Sequence, residues 1–304
     1  MLAAMYVEID DFVILHRTQI KQANRDLGIV KNDYPTRLSL SETMTIVVYF
    51  QQSGYRNFKT YYKEYVMIHL RRAFPDLVSY NRFIELKPRT LLPLMLFLNE
   101  KQRTARLTGL NIIDSFPLRA CRNQRINAHR VMKGMAQRGR TSMGWFYGMK
   151  VHLIINEYGE LINCRITPGN VADNNARVLH LLTRHLNGLL IGDKGYICEA
   201  TKKEMLEKGG RLKIVTKPRR NMKPIDYRID EWLWLQKRGA VESSIALLKE
   251  TFQIEHTRHR SATNCMVNTY AALIAYTFHP TKPTVEVRVE SRMIGPSPIQ
   301  TQAA

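Results

Sequence analysis

The sequence predicts an α/β protein, a mixed sheet with flanking helices, preceded by a helical N-terminal domain. Three observations predict it. Apolar spacing at helical period, with capping signals, runs to about residue 105. From about residue 108 the pattern changes to short apolar runs bounded by turns, in the order β-β-β-α-β-α-β-α-α. Two of those runs, LNIIDS and LLIGD, carry an acid at their C-terminal end.

In the N-terminal part, Ser39-Leu40-Ser41-Glu42 fits a capping box, with Ser39 as N-cap and Glu42 three residues on. A helix follows from Thr43 to about Gln52 and stops near Gly54. A second runs from Phe58 to about Phe74, rich in Tyr, Lys and Arg. A third stretch, Ser79 to about Asn99, is expected to break near Pro88 and Pro93. Several short helices with a basic, aromatic face suit a helix-turn-helix-like DNA binder, and equally a plain helical packing domain.

The second part reads as strands at Leu110 to Ser115, Phe146 to Asn156 and Leu161 to Thr167, with Tyr158-Gly159 as the turn between the last two. A helix at Ala176 to Leu186 leads to a strand at Leu189 to Asp193. Cys198 to Lys208 is read as helix, Leu212 to Thr216 as the fifth strand, Glu231 to about Phe252 as one long helix, and Asn264 to Phe278 as the closing helix. The division expected is 1–105 helical, 106–280 catalytic and 281–304 a flexible tail.

Composition narrows the partners. Lysine and arginine number 46 against 26 acids, a net charge of +20 and a pI near 10.0. A polyanion is the simplest partner, because each phosphate neutralised releases condensed counterions. No apolar run reaches the roughly 18 residues of a membrane span, and the N-terminus lacks the basic region of a secretory signal. The cysteines at 121, 164, 198 and 265 stand singly. That argues against zinc ribbons and disulfide frameworks and for a reduced cytoplasmic setting.

Three acids then draw attention. Asp114 and Asp193 end strands, where a rigid element orients a side chain as metal ligation requires. Glu242 lies on the long helix, at the seam between an apolar face (Val241, Ile245, Leu248, Phe252) and solvent. At about 100° per residue, Arg238 and Lys249 fall within roughly 40° of it and form one charged stripe. Gly239, costing about 1 kcal/mol relative to Ala in a helix, suggests close approach of a backbone or ligand. Cutting a DNA phosphodiester needs an activated nucleophile and charge relief on the leaving oxygen. Two hard divalent cations held by carboxylates supply both. Two acid-free basic intervals, 115–156 and 208–225, follow or lie close in sequence to a proposed acid and favour phosphate tracking. Trp145, Phe146, Tyr147, Trp232 and Trp234 read either as stacking platforms for bases or as core.

Together NIIDSFPL, GWFYGMKVHLIIN, TPGNVADN, IGDKGY and RGAVESSIALLKE resemble the Asp-Asp-Glu transposases of bacterial insertion sequences, with the insertion sequence 982 family the closest match. LSLSETMTI and FPDLVSYNRF extend the resemblance over about residues 5 to 280. It implies an RNase H-like mixed five-stranded sheet with helices on both faces. It also implies a catalytic and metal-binding triad of Asp114, Asp193 and Glu242, with Mg²⁺ (Mn²⁺ as a substitute) at two ions per site. Related enzymes carry a Tyr-x2-Arg-x3-Glu-x6-Lys signature. Arg238, Glu242 and Lys249 fit it, and Leu235 replaces the tyrosine. Asp173 is read as the N-cap of the following helix rather than a ligand.

The function expected is cleavage of transposon ends and transfer of the 3′-hydroxyl to target DNA. A nuclease without strand transfer and a regulatory DNA-binding derivative are the alternatives. Arg238, Lys249, Lys150, Lys194, Arg219 and Arg220 are the expected DNA contacts. Partners are double-stranded terminal inverted repeats, target DNA and a second copy in a synaptic complex. The setting expected is the bacterial cytoplasm, at the nucleoid, with no membrane contact.

Overall fold

A computed structural model describes residues 1–26, 28, 36–196, 211–218, 225–255 and 259–285. The helix expected at 198–208, with Arg219, Arg220 and most of the tail, lies outside the described residues.

The N-terminal region is helical, as expected. Helices α1 (Leu2–Leu15), α2 (Arg17–Asp26) and α3 (Leu40–Phe50) open it. Ser39 caps α3 through a complete capping box. Its Oγ accepts the Glu42 N–H at 3.1 Å, and its own N–H donates to Glu42 Oε2 at 2.7 Å. Helix α4 begins at Phe58–Thr60, widens into a π-helix over Tyr61–Val66 and ends at Met67–His69. Tyr61 and Tyr62 are thereby turned into the core, fully buried. Helix α5 (Tyr80–Leu86) tightens into a 3₁₀ turn at Lys87–Thr90, where Pro88 stands. Pro93 makes no break. It lies in the first turn of α6 (Leu91–Arg103), where its missing N–H would be unpaired in any case.

The sheet has six strands rather than five: β1 (Leu110–Cys121), β2 (Gln137–Thr141), β3 (Gly144–Ile155), β4 (Leu161–Pro168), β5 (Gly188–Gly192) and β6 (Leu212–Thr216). The addition is β2, a short polar strand paired with the start of β3. The remaining order, β4-β3-β1-β5-β6, joins an antiparallel meander to two parallel strands. That is the RNase H-like arrangement the resemblance implies. The β3–β4 turn is held by Asn156 Oδ1, which accepts the N–H groups of Tyr158 (3.0 Å) and Glu160 (2.9 Å), with Gly159 at φ 69°. Val285, from the expected tail, donates its N–H to Glu157 O at 2.8 Å, so the first tail residues pack on this hairpin.

β1 is twice as long as expected. Pairing with β3 continues from Ile112 opposite Ile155 to Cys121 opposite Tyr147, so Asp114 stands within the strand, not at its end. Gly148 permits the close approach near the irregularity at Arg119/Cys121, since a Cβ there would lie 2.0 Å from Leu118 O.

Helix α7 (Ala176–Thr183) covers one sheet face with Leu179 and Leu182 against Ile113, Ile154 and Leu190. The expected long helix is two, α8 (Ile229–Gln236) and α9 (Gly239–Glu250), interrupted at Lys237 and Arg238. Gly239 opens α9, and nothing lies within 4 Å of where its Cβ would be, so it marks a helix junction and not a close approach. Helix α10 (Ala262–Thr277) is the last helix among the described residues. α9 and α10 join the N-terminal helices and the second sheet face in one apolar core, which includes Phe83, Phe97, Ile112, Ile191, Val241, Leu248 and Leu273.

Candidate functional site

β1 and β5 run parallel with Leu110 opposite Leu189 and Ile112 opposite Ile191. Asp114 and Asp193 each stand two residues beyond the last paired position of these strands, Asp193 just past the end of β5. Adjacent strands lie about 4.8 Å apart, and residues in register share a face. That face is the one Ile112 and Ile191 turn toward the larger core. Helix α9 packs on it through Val241, Ile245 and Leu248, and Glu242 follows Val241 at the rim.

Arg238 links two of the acids. Its Nη2 donates to Glu242 Oε1 at 2.8 Å, and its Nη1 lies 3.7 Å from Asp193 Oδ1. Its side chain is 27% exposed against 50% for Asp193 and 57% for Glu242. Asp114 sits deeper. Burial raises its carboxyl pKa to about 6; the Ser115 N–H (2.8 Å to Oδ1) and Arg238 lower it, while Glu242 and Asp173 raise it further. Asp114 therefore feels both Arg238 and Glu242, and Asp193 joins this group through Arg238. Among the described residues, however, no three His, Cys, Asp or Glu side chains are placed to hold a metal ion.

The remaining expected contacts are distributed differently. Lys249 Nζ pairs with Glu255 Oε1 at 2.9 Å and lies 5.4 Å from the Phe116 ring centroid, so it does not join the Arg238–Glu242 pair. Lys194 is exposed next to Asp193. Lys150 is buried, because its position faces the covered side of β3; its Nζ donates to Val171 O and Asp173 Oδ1, each at 3.0 Å. That ammonium points inward and is not displayed to a phosphate. Trp145 and Trp232 are exposed while Phe146 is core, and Arg140 lies 5.8 Å over the Trp145 ring.

Asp173 is not the expected N-cap. Asn175 caps α7 by accepting the Val178 N–H at 3.1 Å. Asp173 instead accepts from Ser115 Oγ at 2.7 Å and from Lys150, with His152 Nδ1 3.8 Å away. Burial, reinforced by Lys150, lowers the His152 pKa to about 4 against the pull of Asp173, so the ring is neutral. The Tyr196 hydroxyl is buried near the same carboxylate. This polar node backs the strand directly behind Asp114. Its signal in the sequence was GMKVHLII, where Lys150 and His152 alternate in an otherwise apolar strand.

A family model for a transposase DDE domain matches residues 104–262. The chain belongs to that family. The matched span holds the whole sheet, Asp114, Asp193, Glu242 and the Asp173 node, so the DDE domain begins just after α6 and stops at the start of α10. Two solved structures are also similar, the Mos1 strand transfer complex and a Mos1 transposase paired-end complex with left transposon end. The first shares 11% identity over 74% of this chain and 79% of that one, the second 12% over 81% and 80%; the TM-score is 0.21 for each. No curated protein matches the chain. No helix among the described residues is long and apolar enough to cross a membrane.

Proposed function

We propose that the chain cleaves the ends of its own mobile element and transfers the resulting 3′-hydroxyl to target DNA, with Asp114, Asp193 and Glu242 as the catalytic carboxylates. The observation that carries this reading is the shared register. Ile112 pairs with Ile191, each aspartate follows two residues on, and the helix that bears Glu242 packs against β1, which supports a common site. The donor set is all carboxylate oxygen, which suits a hard divalent cation. Asp114, Asp193 and Glu242 would hold Mg²⁺ (Mn²⁺ as a substitute), at two ions per site, which would supply an activated oxygen nucleophile and charge relief at the leaving oxygen.

The protein's own groups do the rest. Asp114, on a central strand, fixes one side of the site. Asp193 at a strand terminus and Glu242 on a separate helix close on it when the DNA is engaged. Arg238 and Lys249 hold phosphates beside the acids, with Lys194, Arg219 and Arg220 as outer contacts. The N-terminal domain reads the terminal inverted repeats; a cavity of about 550 Å³ there is lined, among the described residues, by Arg17, Lys21, Arg25 and Arg89 together with Asp10. Two ends must be joined, so the working form is a homodimer in a synaptic complex, at the bacterial nucleoid. Within the family, the motifs favour the insertion sequence 982 group.

The test is an assay on paired element ends with and without Mg²⁺. Metal-dependent nicks followed by joined products are expected. Hydrolysis without joined products would favour a nuclease, and end binding without nicks a regulator.

A further inference from the structure

Next to the proposed ligands stands a cation that belongs to the protein. Arg238 contacts both Asp193 and Glu242, at 3.7 and 2.8 Å, and its charge also reaches Asp114. A guanidinium keeps its charge at any working pH. Glu242 cannot give its Oε1 both to Arg238 and to a metal without loss, and Asp193 faces the same competition. Consistently, no ligand cluster is formed among the described residues. The acid-rich end of the site is thus neutralised from within.

Arg238 is also able to leave. It stands at the junction between α8 and α9, makes no side-chain capping bond, and is held to α9 only by the exposed Glu242 carboxylate. Roughly a quarter of its side chain meets solvent. Its fork-shaped donor set suits a phosphate as well as it suits a carboxylate. A DNA phosphate at the rim therefore offers the guanidinium an alternative partner of the same geometry.

We propose that Arg238 is a resident counter-ion of the acid triad, which yields to metal when a DNA phosphate takes over its guanidinium. DNA and metal then promote each other's binding, and free protein is held in a state of low metal affinity. This rests on the assignment of Asp114, Asp193 and Glu242 as metal ligands. Coupling between two ligands is reciprocal, and coupling factors of about 5- to 150-fold are typical.

The experiment measures Mn²⁺ binding by electron paramagnetic resonance, on full-length protein with and without a short duplex lacking the element's ends. Arg238→Gln is expected to bind Mn²⁺ about tenfold tighter than wild type without DNA. Lys237→Gln removes the same charge from an exposed neighbour and is expected to stay within about twofold. In wild type the duplex tightens Mn²⁺ binding, and in Arg238→Gln that gain is smaller. If Arg238→Gln binds Mn²⁺ no tighter than Lys237→Gln, while Asp193→Asn and Glu242→Gln both lose Mn²⁺, the counter-ion role is overturned and the triad stands. If Asp193→Asn and Glu242→Gln retain Mn²⁺, the ligand assignment itself fails and the inference falls with it. The wild-type arm needs no substitution, so a variant that misfolds does not decide the matter.

Discussion

Ile112 and Ile191 are register partners across the parallel β1–β5 pair, and each stands two residues ahead of an acid. Asp114 lies within a strand hydrogen-bonded on its β3 side, whereas Asp193 follows the last residue of β5. One acid is thus fixed and the other free to adjust.

Asp114→Asn should separate chemistry from folding. End cleavage is expected to vanish while end binding remains. Burial raises the carboxyl from 3.8 to about 6. Between those values the folded state keeps a proton that the unfolded chain has released, so stability falls as pH rises through the window. The cost is fully present above pH 6 and absent below pH 4. In metal-free buffer at pH 7 the variant should be more stable by about 1–2 kcal/mol. Thermal melts at pH 4 and pH 7 check this, and an equal gain at both would contradict it.

The Lys150–Asp173 pair should respond asymmetrically. Lys150 is 7% exposed and Asp173 35%. Asp173→Ala strands a buried ammonium and is expected to cost about 3 kcal/mol. Lys150→Met leaves a carboxylate that water and Ser115 still solvate, at about 1–2 kcal/mol. Urea denaturation orders the two, and the reverse order would place the buried charge elsewhere.

Lys87 offers a second pH test. Its ammonium is buried beneath the N-terminal helices, over the Phe58 ring at 4.4 Å, and burial lowers its pKa from 10.5 to about 8. Above pH 8 the folded state has lost a proton that the unfolded chain keeps up to 10.5, so this group's contribution to stability rises with pH there. Lys87→Met should therefore stabilise by about 2 kcal/mol at pH 7, with the gain shrinking toward pH 10.

Two glycines should behave oppositely. Gly148→Ala drives a methyl to 2.0 Å from a backbone oxygen, and is expected to cost about 3 kcal/mol or prevent folding. Gly239→Ala meets nothing within 4 Å and should be neutral or stabilising by up to about 1 kcal/mol. Circular dichroism melts of both distinguish packing from propensity.

The capping box at Ser39, the β3–β4 turn and the positions of five strands were legible because each depends on local chemistry or on apolar period. β2 was not, since QRGRT carries no apolar alternation and forms only by pairing with β3. The length of β1 was hidden by Asp114 and Ser115, which look like a strand end until β3 supplies partners. Gly239 read as a contact point because its helix was taken as continuous; the break at Lys237–Arg238 has no proline to announce it. The three acids were found individually, but the Arg238 contact with Asp193 depends on two segments 45 positions apart being folded together. Asp173 was misread because Asp is a good cap and its real partners, Ser115 and Lys150, come from distant strands.

Helix α10 is the last described element and yet it completes the first. Asn268 Oδ1 accepts from Gln51 across 217 positions, Ala275 O accepts from Gln52 across 223, and the apolar side of α10 belongs to the core of the N-terminal helices. A growing chain therefore cannot finish its opening half until residue 277 has left the ribosome. Premature stops before Ala262 should yield degraded fragments and not smaller DNA-binding proteins, so a truncated gene copy would supply no competitor for the element's ends.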